Sequence, residues 1–354
     1  MTNSGRRKIY FDFLRIISIL LVMFNHTGNR GFIRFTDLEY RGGSYYLLIA
    51  CSIIISIAVP VFFMISGALL IPKVESLKTL YKKRILKYTV ILLVFSFVSW
   101  RYYSDWDMHA FDWLYFFRQL WSANWATSYW FLYSYISYLV LLPLIRMFAK
   151  ALTDDGFKYL IVIYLSVQTL HVIDWIVWRG VVSYNSSLCF FIIENNFFYP
   201  LLGFYIDSRS DKVNRKSMTA LAISAIISLM IMTMLTSWRC IELDIWEESR
   251  LQYFYGTFNS IIAVFVFLAT KAFFSIVGNR WETFNRFVAY FGSLSFGIML
   301  IEHICRRTTT QLYDFLVRSF PPFLSCWMWI LSAYLMGVAI VSVMKIIPCV
   351  KKLI

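Results

Sequence analysis

Long apolar runs, repeated along almost the whole chain, limit most strongly what this sequence can fold into. About 20 mainly apolar residues cross a hydrocarbon core as a helix, with a range of roughly 17 to 25. Ten runs meet or approach that length: Ile9–His26, Tyr45–Ile71, Ile85–Trp100, Tyr129–Ile145, Tyr159–Trp178, Leu188–Ile206, Met218–Trp238, Leu251–Phe274, Phe287–His303 and Phe323–Met344. Inside lipid a backbone must satisfy its own N–H and C=O groups, so runs of this kind read as helices rather than open strands. The expected fold class is therefore all-α, a polytopic membrane bundle of about ten transmembrane helices. Asp12 and Arg15 intrude on the first run and Lys87 on the third. Trp and Tyr gather at run ends, as at Tyr129, Trp130, Trp178, Trp238, Trp327 and Trp329, where interfacial aromatics belong.

Composition agrees. Of 354 residues, 59% are apolar and 15% charged, against roughly 25% charged in soluble domains. The length alone would fit two or three soluble domains. However, no Pro/Gly/Ser-rich linker, low-complexity tract or internal repeat divides the chain, and residues 1–354 read as one membrane-embedded unit. With the N-terminus inside, that side holds twice as many Lys and Arg as the other, while Asp and Glu lean outward. The positive-inside rule then sets both termini in the cytoplasm. The same bias accounts for the net charge of +14 without a nucleic-acid partner. Arg6, Arg7 and Lys8 ahead of Ile16–Phe24 mimic a signal peptide, but Arg15 breaks the run and no small-residue cleavage site follows. An uncleaved first helix is the simpler reading. The six cysteines show no metal-ligand or redox spacing; most read as apolar filler, with Cys240 and Cys305 the pair that the topology brings to one face.

Ionisable residues inside hydrocarbon are the informative ones, since each costs about 2.5–3.5 kcal/mol at mid-bilayer on insertion scales. Arg15 and His26 are eleven positions apart, about 20° past three full turns, so they share one helix face ~16 Å apart along the axis. Asp12 stands three residues before Arg15, within pairing reach. A snorkelling Arg and an interfacial His explain the same pattern without chemistry. Further along, His171 and Asp174 share a face in the outer half of the fifth run, Glu194 lies in the outer third of the sixth, and Glu302 and His303 close the ninth. Carboxylates and imidazoles thus collect towards one leaflet. The other leaflet carries Arg15 and the basic loop of Lys73, Lys78, Lys82, Lys83, Arg84 and Lys87.

A basic inner mouth suits a phosphorylated donor, because Arg and Lys pair with phosphate by charge-assisted hydrogen bonds. It equally serves as a topology signal. An imidazole among carboxylates suits proton abstraction from a hydroxyl, since His titrates near neutral pH. These features define a membrane enzyme or a transporter with a polar path, and do not choose between them.

The motifs resemble acyltransferase family 3, the bacterial integral membrane acyltransferases. Asp12, Arg15 and His26 match the family's opening Asp, Arg and His, with ten residues between the last two. Phe62-Phe63-Met64-Ile65-Ser66-Gly67 after Pro60 is similar to its Phe-Phe-x-x-Ser-Gly signature, and Lys83-Arg84-Ile85-Leu86-Lys87 to the basic stretch that follows. Trp130-Phe131-Leu132 with Pro143, Pro200-Leu201-Leu202-Gly203 and Ser295-Phe296-Gly297-Ile298 resemble further family runs. Two departures stand out. Glu302 occupies the position of the family's usual ninth-helix His, with His303 rotated by about 100°, and Ser128-Tyr129 replaces a His common before the fourth-helix Trp.

The resemblance implies a stand-alone acyltransferase domain, without an appended esterase-like domain, in a bacterial cytoplasmic membrane. It implies acyl-CoA, most often acetyl-CoA, as donor, no metal, and a glycan or lipid-linked glycan as acceptor. The oligomeric state stays open. On this reading Lys83, Arg84 and Lys87 meet the donor's phosphates, Arg15 holds its thioester arm, and Ser66 and Gly67 let backbone approach it. His26 is general base or covalent carrier, and Asp12 orients Arg15. His171, Asp174, Glu194, Glu302 and His303 are acceptor-side candidates. An exporter or flippase of glycans or small metabolites is the competing reading.

Overall fold

The computed structural model describes residues 7–38, 42–104, 112–122, 124–178, 194–209, 214–243, 258–277 and 281–354, without the side chains at 171, 175, 178, 242, 243 and 277. Every regular element there is helical. In chain order these are α1 (Ile9–Asn25), α2 (Gly43–Ile55), α3 (Ala58–Leu70), α4 (Leu77–Leu80), α5 (Leu86–Tyr103), α6 (Trp113–Ser122), α7 (Trp130–Ala151) and α8 (Asp154–Trp178). They continue with α9 (Asn195–Arg209), α10 (Arg215–Leu243), α11 (Asn259–Val277), α12 (Glu282–Thr308), α13 (Thr310–Leu316), α14 (Pro322–Met344) and α15 (Pro348–Leu353).

Among the described residues, 8 helical stretches are long and apolar enough to cross a bilayer. Of the ten expected runs, the first and sixth are not among these eight. The first yields α1, of 17 residues, about 25 Å long at 1.5 Å per residue and shorter than a ~30 Å hydrocarbon core. The sixth yields α9, of 15 residues around Pro200; positions 188–193 of that run lie outside the described residues. Both short helices pack inside the bundle, α1 against α12 and α3, and α9 against α3 and α7. The ninth run also differs. Its helix, α12, continues past Glu302 and His303 through Arg306 and Arg307, so Glu302 has a helical neighbour one turn further on. Cys240 and Cys305 are both buried, and no disulfide joins them.

The hub of the bundle is α1, which packs against α12, α3, α14, α11 and α2. Small residues permit these approaches, as they do generally between membrane helices. On α3, a Cβ added to Gly67 would lie 1.9 Å from the Pro200 carbonyl oxygen of α9. Reciprocally, a Cβ on Gly203 would lie 2.1 Å from the Met64 carbonyl oxygen. The Phe-Phe-x-x-Ser-Gly and Pro-Leu-Leu-Gly runs are thus the two sides of one backbone-to-backbone crossing. On α12, Gly292 presses against Asp12 of α1, where an added Cβ would come within 2.4 Å of the Asp12 Cβ. Ion pairs tie the ends of the bundle. Lys8 (2.7 Å), Lys271 (3.1 Å) and the Tyr10 hydroxyl converge on Asp207, joining α1, α9 and α11.

Candidate active site

At the C-terminal end of α1, the His26 ring meets α12. Its Nδ1 lies 3.0 Å from Glu302 Oε1, and the Glu302 side chain is wholly buried. The other carboxylate oxygen, Oε2, accepts from Arg306 Nε at 2.6 Å, one helical turn along α12. Arg306 also donates from its NH1 group to the His26 carbonyl oxygen at 2.5 Å. The three residues therefore close a ring: imidazole, carboxylate, guanidinium and back to the backbone of the imidazole residue. A carboxylate accepts only, so Nδ1 carries a proton, and in the neutral ring Nε2 keeps its lone pair. This is the arrangement by which a buried carboxylate fixes the tautomer and aim of a catalytic imidazole. Arg306 offsets the cost of burying the Glu302 charge.

A cavity of about 30 Å³ opens beside His26, lined by Val22, Asn25, Val59, Phe62, Ser128, Trp130, Phe131 and Met299. A second cavity of about 260 Å³ lies around Arg15, with Ser66, Lys87, Tyr88, Tyr135, Ser293 and Phe296 in its walls. Phe62, Phe131 and Met299 line both. The two ends of the α1 face that carries Arg15 and His26 thus open into adjacent chambers with a shared apolar partition. The larger chamber is near the lower limit of about 300 Å³ for small-molecule sites.

Arg15 is held from behind. Its NH1 group donates to Asp12 Oδ1 at 2.8 Å, and buried Asp12 also receives Arg7 at 2.6 and 3.0 Å. Gly292 makes room for this carboxylate, and its part in the site was not anticipated from sequence. Of the basic stretch, Lys87 lines the Arg15 chamber, whereas Lys83 is exposed. Arg84 is engaged elsewhere, donating to Glu75 at 2.9 Å, and Arg146 joins the same carboxylate at 2.8 Å. Burial works to raise the Glu75 carboxyl, but the hydrogen bonds and charges of Arg84 and Arg146 outweigh it and hold the group below its usual range. Arg146 also donates to the Leu70 carbonyl at the end of α3, satisfying a helix-terminal acceptor. Ser66 lines the chamber, and Gly67 packs against the Pro200 backbone.

The remaining acceptor-side candidates separate. His303 is buried on another face of α12. Its Nε2 lies 2.9 Å from Ser99 Oγ, which is 2.9 Å from the Tyr129 hydroxyl. Glu194 is exposed just before α9, and Asp174 is half-buried on α8. The His171 side chain lies outside the described residues. Of this group, Glu302 alone among the described side chains bonds to the His26 ring. Sequence reasoning had grouped Glu302 with the acceptor side and missed Arg306; the Glu302–Arg306 spacing of one turn was the available signal. Among the described residues, no group of three or more His, Cys, Asp and Glu is placed to hold a metal.

The fold and site define a membrane-embedded helical protein with a carboxylate-oriented imidazole facing an internal chamber. The chain belongs to acyltransferase family 3: the family model described as an acyltransferase domain matches residues 8–347. No curated protein and no solved structure matches the chain.

Proposed function

We propose that this chain is a single-domain membrane O-acyltransferase. It moves an acyl group, with acetyl the first to test, from cytoplasmic acyl-CoA to a hydroxyl of a surface or lipid-linked polysaccharide. The observation that carries this reading is His26, aimed by Glu302, at the far end of the helix face that bears Arg15. Family membership supports the reaction class. The basic asymmetry supports a bacterial cytoplasmic-membrane topology with both termini inside.

In this mechanism the donor occupies the Arg15 chamber, with Lys87 and Arg15 as its cationic contacts. The acyl arm then runs along α1, past Phe62, Phe131 and Met299, over the ~16 Å that separates Arg15 from His26. Those three side chains must part to admit it. The acceptor hydroxyl loses its proton to His26 Nε2 as its oxygen bonds to the thioester carbonyl carbon. The carbonyl electron pair moves to oxygen, returns, and expels the coenzyme A sulfur, which takes the proton back from the imidazolium. Glu302 stabilises the imidazolium between these steps.

Mass spectrometry of surface glycan from cells with and without the gene tests the reading. The expected result is loss of one acetyl-sized increment when the gene is absent. A fully retained increment refutes it, and glycan that stays inside unmodified would favour export.

A further inference from the structure

Two polar atoms in the His26 chamber have nothing to bond. Ser128 is 3% exposed. Its Oγ and the Oδ1 of Asn25 are buried without a hydrogen-bond partner, and both residues line the cavity together with His26. Buried polar groups in native proteins are nearly always paired, so an orphan that faces a cavity calls for an explanation. Two such orphans beside the same imidazole, in a space whose other walls include Val22, Val59, Phe62, Phe131 and Met299, are placed to hold a polar ligand.

Their positions are fixed. Asn25 is the last residue of α1, adjacent to His26. Ser128 lies in the turn Thr127–Tyr129 that leads into α7. That turn is anchored by Tyr129, whose hydroxyl donates to the Leu300 carbonyl of α12 at 2.9 Å. Because α7 starts at Trp130, the positive end of its dipole lies at this wall of the cavity, where negative charge is favoured.

We propose that Ser128 and Asn25 are catalytic residues that hold the reacting groups at His26. This rests on the acyl-transfer reading and adds to it. The Ser128 hydroxyl donates to the thioester carbonyl oxygen as that oxygen becomes an oxyanion, beside the dipole of α7. The Asn25 Oδ1 accepts a hydrogen bond from the acceptor sugar and turns its attacking hydroxyl towards Nε2. A preorganised donor aimed at developing charge is worth most in a small, water-poor site.

Everted membrane vesicles from the native strain, which carry the natural acceptor, are supplied with radiolabelled acetyl-CoA, and label in glycan is followed. In Ser128→Ala, apparent kcat falls about 10²- to 10³-fold, as for loss of one oxyanion donor. The apparent KM for acetyl-CoA stays unchanged, since a transition-state contact is removed. Thermal stability of the purified variant does not fall, because the deleted hydroxyl had no partner. Asn25→Ala also slows transfer at saturating acetyl-CoA. A Ser128→Ala enzyme with near-normal kcat, or one whose lost rate tracks lost stability, overturns the assignment. If Ser128→Ala is active while His26→Ala is dead, only this assignment fails. Unlabelled glycan in the wild type would remove the acyl-transfer reading itself.

Discussion

Replacing Glu302 with Gln exchanges one carboxylate oxygen for an amide NH2 and leaves the shape of the side chain almost unchanged. The consequence follows from the hydrogen bonds. Oε2 faces Arg306, which can only donate, so the Gln oxygen is drawn to Arg306 and the NH2 turns to His26 Nδ1. The imidazole must then accept at Nδ1 and carry its proton on Nε2, the wrong tautomer for a base. General-base catalysis is typically worth 10²- to 10⁴-fold, and a tautomer error in a comparable triad costs about 10⁴. Glu302→Gln should therefore lower acetyl transfer by about 10²- to 10⁴-fold. Glu302→Ala should also destabilise the bundle, because it leaves the half-buried Arg306 guanidinium without its carboxylate. The assay is labelled acetyl incorporation into glycan at matched membrane abundance, alongside thermal melting in detergent. A Glu302→Gln enzyme that melts normally and transfers acetyl at the wild-type rate would refute the role of the carboxylate.

Three further outcomes are expected. In a background stripped of native cysteines, an impermeant maleimide should label Arg118→Cys from outside and spare Lys78→Cys; the reverse pattern would invert the topology. Gly67→Ala should lower membrane abundance or melting temperature by the equivalent of about 1–3 kcal/mol or more, as overpacking does, since its Cβ would meet the Pro200 backbone at 1.9 Å; unchanged melting would remove that crossing from the account. Arg84 and Arg146 hold the Glu75 carboxyl below its unfolded value against the opposing effect of burial. Its contribution to stability is thus complete above the unfolded pKa and is lost as pH falls through the folded one. Glu75→Gln should flatten the acid limb of a melting-temperature profile, and a limb that stays as steep would contradict this.

Much of the architecture was legible because lipid leaves a chain few options: apolar runs of bilayer length become helices. The helices α1 and α9 are shorter than the apolar runs that contain them, because apolar content does not fix where a helix starts and stops. The shared face of Arg15 and His26 followed from helical periodicity alone, and the two adjoining chambers lie along it. Glu302 was visible as an ionisable residue closing an apolar run and as a departure from the family pattern, but not as the partner of His26. Its bond to His26 spans most of the chain, and no local rule encodes a contact between α1 and α12. Gly67 shows a related limit: a glycine marks close approach but does not say whether the partner is a ligand or another helix, and here the structure supplies Pro200 of α9. Ser128 stood out in the sequence as a departure from the family pattern and Asn25 not at all, since an orphaned polar atom is a property of packing.

The central claim is that His26 carries out the proton transfer or acyl relay, and His26→Ala tests it most directly. Arg306 bonds to the His26 backbone carbonyl rather than to its ring and still holds Glu302 Oε2, so the variant should insert, with a loss of about 1–3 kcal/mol for the Oε1 left without its donor. The account predicts that labelled acetyl transfer to glycan falls to background in His26→Ala at matched abundance, with His303→Ala milder. Near-normal transfer in His26→Ala, with loss in His171→Ala or His303→Ala instead, would contradict it.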